Sequence, residues 1–389
     1  MPPDANIIKA SRLAEGVAPF YVMEVLERAT RMESGGADIV HLEVGHPDLP
    51  TAPEVCEAAM DSIRRGETGY SPSPGIEPLR EAVAESANSR YGLSLTADNI
   101  LITSGSSPAL LLAMMCVVNP GDEVVITSPC YACYPGVIRA AGGVPVEVPV
   151  YAGEDYRIDI GRVKRALNPK TAAIIINSPS NPTGAVLDDD ALEAVCSLGL
   201  PVVSDEIYHG LEYGVKSRSA LNHTERAIVV NGFSKLCSMT GWRLGYMAAP
   251  REVILAARKL QQNLFISPNM FVQHGGIAAV KSVVPRAGEI AAAFSERRDA
   301  MERELRRIGL PPCGRPRGAF YMFVKPPGGA GRDSRALAFD ILEKTGVAVT
   351  PGVDFGSEGE GHLRLSYANS VANIEKGVRR LGSYLAGSG

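Results

Sequence analysis

Between residues 100 and 250 the chain repeats one rhythm of polarity. A short, almost unbroken apolar run is followed by a longer stretch with apolar positions at helical spacing. The runs 100–103, 124–127, 144–148, 172–176, 202–205, 227–230 and 244–248 predict strands. They are too short for helices, and their lack of alternation predicts burial on both faces. Between them, stretches near 108–118, 132–141, 159–167 and 188–197 predict helices. Such alternation predicts an α/β fold with a mostly parallel sheet covered by helices. Beyond about residue 285 the rhythm changes to a charged helix (289–308), an apolar run (319–324) and a second helix (334–345). Short strands near 347–350 and 362–367 and a last helix (371–385) complete the chain. That pattern predicts a smaller α+β module, joined in space by the N-terminal segment. The expected division is a large domain over 47–284 and a small one made of 1–46 and 285–389.

Length and composition narrow the class. At 389 residues the chain exceeds one ordinary core. An apolar fraction of 45% with 21% charged residues is that of a soluble globular protein. Lys+Arg 39 against Asp+Glu 43 leaves no basic surplus for nucleic acid. The longest apolar stretch, 109–118, falls far short of the roughly 20 residues that span a bilayer. Met1-Pro2-Pro3-Asp4-Ala5-Asn6 lacks the charged and apolar regions of a signal peptide, so the expected location is cytoplasmic, with no membrane partner. The seven cysteines are odd in number, scattered and mostly in apolar runs, which predicts reduced, buried thiols. Cys130 and Cys133 form a lone C-x-x-C without the second pair a metal site needs, and no metal is expected.

The chemically capable residues fall where strands end. Ser104–Ser107 follow the first strand, Tyr131 the second and Asn181 the fourth; Asp205 ends the fifth, and Ser234-Lys235 follow the sixth. In a parallel sheet these positions share the carboxyl edge, where open α/β sheets bind ligands. Arg243 precedes its strand and reaches that edge only if 244–248 runs antiparallel, which is the prediction.

Each residue also has a plain explanation. In Ser104-Gly105-Ser106-Ser107-Pro108, Ser107 suits a helix cap and Pro108 the first helical position; the free N–H groups there also suit a phosphate. Asp205 can cap a helix, or it can pair with a protonated pyridine nitrogen and keep that ring cationic. Asn181 sits in a rigid proline-glycine turn that presents one side chain. Tyr131 is a core aromatic or a stacking surface. Arg364, between Leu363 and Leu365, is an outward charge or a bidentate partner for a carboxylate. Lys235, in Gly232-Phe233-Ser234-Lys235-Leu236-Cys237-Ser238-Met239-Thr240-Gly241-Trp242-Arg243-Leu244-Gly245, is a surface lysine or an amine placed for a Schiff base.

Taken together, and in order, these segments resemble the class I/II aminotransferases, fold-type I enzymes dependent on pyridoxal 5′-phosphate. The resemblance runs from Leu42-Glu43-Val44-Gly45-His46-Pro47-Asp48 and Tyr70-Ser71-Pro72-Ser73-Pro74-Gly75 through Asn181-Pro182-Thr183-Gly184 and Asp205-Glu206-Ile207-Tyr208 to Arg364. The lysine segment is its most specific part. The resemblance implies that Lys235 carries the cofactor as a Schiff base, with Asp205 on the ring nitrogen and Asn181 and Tyr208 on the ring hydroxyl. It puts Tyr131 on the ring face and Gly105, Ser106, Ser107, Ser234 and Arg243 on the phosphate. Tyr70 matches a residue that reaches the neighbouring subunit's phosphate, implying a homodimer with shared sites. Gly45, Asn181 and Arg364 match the substrate-carboxylate site.

The implied activity is ping-pong transamination between an L-amino acid and a 2-oxo acid. The chain departs from the family's dicarboxylate-specific members by having no second arginine placed for a side-chain carboxylate, and Leu49 replaces an aromatic residue. With apolar Val17-Ala18-Pro19-Phe20-Tyr21 near the mouth of the site, a neutral or aromatic side chain is expected. A β-lyase on the same scaffold shares the cofactor residues and is the nearest alternative. A nicotinamide-dependent dehydrogenase is disfavoured because no G-x-G-x-x-G occurs. A cofactor-sensing regulator would need a DNA-binding module that the first forty residues do not supply.

Overall fold

The computed structural model describes residues 8–327 and 333–387. The reading of Met1–Asn6 lies outside them. Val40–His41 forms β1, and Ile100–Thr103, Glu123–Ser128, Val144–Pro149, Thr171–Asn177, Val202–Asp205, Ala227–Gly232 and Gly245–Ala248 form β2 to β8. The last seven make one sheet in the order β2-β8-β7-β6-β5-β3-β4. Neighbours are parallel except β8, which is antiparallel to both β7 and β2, as predicted. Because β2 meets the sheet only through β8, it runs in the same direction as β7. Its end therefore lies at the carboxyl edge with the others. All four residues of β2 and of β6 are buried, which explains runs without alternation.

Two local expectations are corrected. The last strand starts at Gly245 rather than Leu244, with its register opening at the pairs Gly245–Thr103 and Gly245–Gly232. The helix after β2 runs Ser106–Val117, so its cap is Gly105 rather than Ser107, and Pro108 is third rather than first. Gly105 has φ 102°, a left-handed conformation that turns the chain from strand to helix within one residue. Pro108 still fits, because N–H groups of a first turn have no intrahelical partner to lose.

Tyr321–Val324 (β9), Val347–Ala348 (β10), Thr350–Pro351 (β11) and Leu363–Ser366 (β12) lie apart from this sheet. β11, β12 and β9 form an antiparallel sheet in that order, and β1 pairs in parallel with β10. The helix Tyr21–Ser34 closes on this region through Val25 and Ala29, which pack with Leu342 and Ala348. N-terminal and C-terminal residues thus share one core. The predicted helices there are Ala287–Arg307, Ser334–Thr345 and Val371–Gly387. Among the described residues, no helix is long and apolar enough to cross a membrane.

Candidate active site

The loops after β2, β3, β5 and β6 and the one joining β7 to β8 converge at the carboxyl edge, and one close approach makes this possible. A Cβ on Gly245 would lie 2.6 Å from the carbonyl carbon of Gly105, and one on Gly232 would lie 3.0 Å from Gly245 Cα. Only glycine lets β2, β7 and β8 bring their ends together here. The guanidinium of Arg243 packs beside Gly105, where a Cβ would meet Nη2 at 2.6 Å. The first N–H groups of Ser106–Val117 therefore point into a space bordered by a cation, a geometry suited to a dianion.

Beyond this cradle lies a cavity of roughly 630 Å3, counting its open mouth. Gly45, Ser106, Tyr131, Asn181, Asp205, Tyr208, Lys235 and Arg364 all line it. Lys235 Nζ donates to the carbonyl of Gly45 at 2.7 Å. Burial, with the charges of Arg364 and Arg243, pulls this amine down to about 8, while Asp205 opposes them. Burial pushes the Asp205 carboxyl up to about 6. It is restrained by Tyr134 Oη, which donates to Oδ2 at 2.8 Å, by the Ile207 N–H and by Lys235. An amine and an acid both drawn toward neutrality in one cavity are a poor device for stability. They are a good one for a ligand that brings an aldehyde and a basic ring nitrogen.

Arg364 is only 3% exposed, and all of β12 is buried, so the outward-charge explanation fails. Its Nη1 donates to Asn181 Oδ1 at 2.7 Å, and Nη2 donates to Thr350 Oγ1 at 3.1 Å and to the carbonyl of Glu43. Its Nε is buried without a partner among the described residues. A buried guanidinium with an idle donor and no carboxylate fits an anionic ligand. The Tyr321 ring stacks 4.2 Å from this guanidinium, and Tyr208 Oη and Tyr321 Oη share a hydrogen bond of 2.8 Å. Burial raises the Tyr208 phenol well above its ordinary value, so it stays a neutral donor. A Cβ on Gly45 would fall 1.7 Å from Tyr321 Oη, so no side chain fits at that position.

Not every expected residue lines the cavity. Ser107 is exposed, and Ser234 is buried beside Lys235 outside the lining. Arg243 lies at the rim, exposed and with positive φ. Tyr70 is 82% exposed, held through a bridge to Asn269. Sequence reasoning missed Tyr134 and Tyr321. Tyr134 was within reach, since it lies only three residues after Tyr131, inside the helix Cys133–Ala140, and its ring meets that of Tyr131 edge-on at 5.5 Å. Tyr321 gave no signal, because its apolar run reads as core. All seven cysteines are free, and Cys130 is buried.

Comparisons with known proteins agree with this geometry. The sequence profile for aminotransferase class I and II matches residues 37–381. The (5-formylfuran-3-yl)methyl phosphate transaminase of Methanocaldococcus jannaschii is 40% identical over 370 residues, 94% of this chain and 96% of that protein. The aspartate/prephenate aminotransferase of Thermus thermophilus is 38% identical, covering 96% of this chain and 98% of that protein. The solved Thermus thermophilus aspartate aminotransferase with maleate superposes with a TM-score of 0.92 at 37% identity, over 97% of this chain and 100% of that one. Members of the matched family work with pyridoxal phosphate. The amine and the acid in one cavity and the glycine-lined cradle suit that group. With its profile, its sheet and its relatives in agreement, the chain belongs to the class I and II aminotransferases.

Proposed function

We propose that the chain transfers an amino group from an L-amino acid to a 2-oxo acid in two half-reactions, as a cytoplasmic homodimer with shared sites. The observation that carries this reading is the Lys235 amine and the Asp205 carboxylate lining one cavity with Arg364. When bound, pyridoxal phosphate supplies an aldehyde for the amino group and a ring that takes up the electrons released at the donor's Cα. Asp205 would keep the ring nitrogen protonated, with Tyr134 and the Ile207 N–H fixing its carboxylate. Tyr208 and Asn181 would hold the ring hydroxyl, Tyr131 would stack on the ring, and Gly105, Ser106, Ser107, Ser234 and Arg243 would hold the phosphate.

Arg364 and Gly45 orient the donor's carboxylate. Lys235 Nζ would hold the cofactor's aldehyde group. As a free amine it would take up and give back the donor's Cα proton, an amine near pKa 8 being suited to both tasks. The first oxo acid leaves before the second enters. Tyr70, exposed on one protomer, would reach the phosphate held in the partner subunit. Residues 47–284 form the large domain, and 1–46 with 285–389 the small one.

Lys235→Ala tests the central claim. It should abolish turnover and the cofactor's characteristic absorbance while leaving the fold intact by circular dichroism. Retained transamination would remove Lys235 from the mechanism. Release of pyruvate and ammonia without an acceptor oxo acid would mark the enzyme as a β-lyase instead.

A further inference from the structure

Within the cavity only Lys235 and Arg364 carry positive charge, and the roles proposed above occupy both. The remaining wall, where a donor's side chain must lie, includes Phe20, Val22 and Met23 from the start of the helix Tyr21–Ser34. A second carboxylate placed there would lose its water and meet no cation of this chain among the described residues. The wall is thin. Behind Phe20 lies another cavity, roughly 1140 Å3 counting its open mouth, bordered also by Cys133, Val353 and Asp354. Phe20 meets Tyr131 edge-on, with ring centroids 6.3 Å apart.

What fixes this wall comes from the other end of the chain. Phe20, at the helix N-cap, supplies no side-chain cap. The Asp354 carboxylate does so instead, accepting from Tyr21 N at 3.0 Å and from Val22 N at 2.9 Å. Asp354 lies in the turn Gly352–Phe355, and the Phe355 ring lies 5.0 Å from the Arg364 guanidinium. One turn therefore supports the guanidinium and tethers the wall facing it.

Resting on the transaminase reading, we propose that Asp354 is a positioning residue for donor choice. It holds Phe20, Val22 and Met23 in place, so that the site selects a bulky, uncharged and apolar or aromatic side chain over a second carboxylate. Aspartate, for which most of the matching proteins are named, is then a poor donor here.

The test follows the first half-reaction of the holoenzyme by the cofactor's spectrum, with phenylalanine, leucine, alanine and aspartate as donors. The unaltered enzyme should use phenylalanine at least about tenfold better than aspartate in kcat/KM. Asp354→Ala should raise KM for phenylalanine and leucine about tenfold while leaving kcat, and both constants for alanine, within about twofold. Asp354→Asn, which keeps one acceptor, should fall between. Phe20→Ala should lower the phenylalanine-to-alanine ratio equally, with no further loss when combined with Asp354→Ala. That pair separates selection from misfolding. An aspartate preference in the unaltered enzyme, or an equal loss with every donor in Asp354→Ala, overturns this inference and leaves the transaminase intact. Silence from all four donors, with the cofactor seated, overturns both.

Discussion

The two ends of the cavity are built in different ways. At the cofactor end, Gly105, Tyr131, Asp205, Lys235 and Arg243 hang from turns at one edge of one sheet, so strand order alone gathers them. At the donor end, Phe20, Gly45, Asp354 and Arg364 come from opposite ends of the chain, held by a two-residue parallel pair, a trans-acting cap and a few hydrogen bonds. The first end is fixed by the topology of a sheet. The second is fixed by individual contacts, so its chemistry can change without disturbing the sheet.

If that division holds, Arg364→Lys should cost the most at the donor end and nothing at the other. An ammonium cannot reach Asn181, Thr350 and the Glu43 carbonyl together and still present a planar donor edge. We expect kcat/KM for amino donors to fall about a hundredfold, with cofactor affinity by titration unchanged. Equal damage to both would show that the ends are coupled.

At the cofactor end, the apoprotein should react with pyridoxal phosphate about tenfold faster per pH unit up to about 8, and then level off. The attacking form is the neutral amine, and Lys235 loses its proton near that value rather than near the ordinary lysine value. A rise continuing to pH 10 in stopped-flow traces would mean that the amine is not desolvated.

Tyr134→Phe should have the smallest effect. Tyr134 stabilises ionised Asp205, so its loss raises that carboxyl further above about 6. Activity below pH 7 should fall by less than about tenfold, with little change at pH 8. A pH profile shifted toward acid would reverse the assigned direction.

The asymmetry also explains what could be read from the amino acids alone. Unbroken apolar runs ending in Asp205 and in Gly232-Phe233-Ser234-Lys235 announce both the sheet and its reactive edge, because strand length and terminal chemistry are local properties. The antiparallel turn of Gly245–Ala248 was legible for the same reason, since Arg243 needed a place at that edge. Arg364 was not settled, because alternation cannot reveal that β12 is covered on both faces. Tyr321 and Asp354 were invisible, since their partners Gly45, Tyr208, Tyr21 and Val22 lie more than a hundred residues away. The helix after β2 was misplaced by two residues, because a serine and a proline outweighed one glycine with φ 102°.

Synthesis on the ribosome gives the distant cap a further meaning. By the time Ala248 emerges, every strand of the large sheet has been made, and that sheet has all its partners. The helix at residue 21 and the strand at residue 40 still lack Asp354, Val347 and Ala348, which lie about a hundred residues further on. The nascent protein thus has the means to grip its vitamin-derived group well before it can tell one amino acid from another.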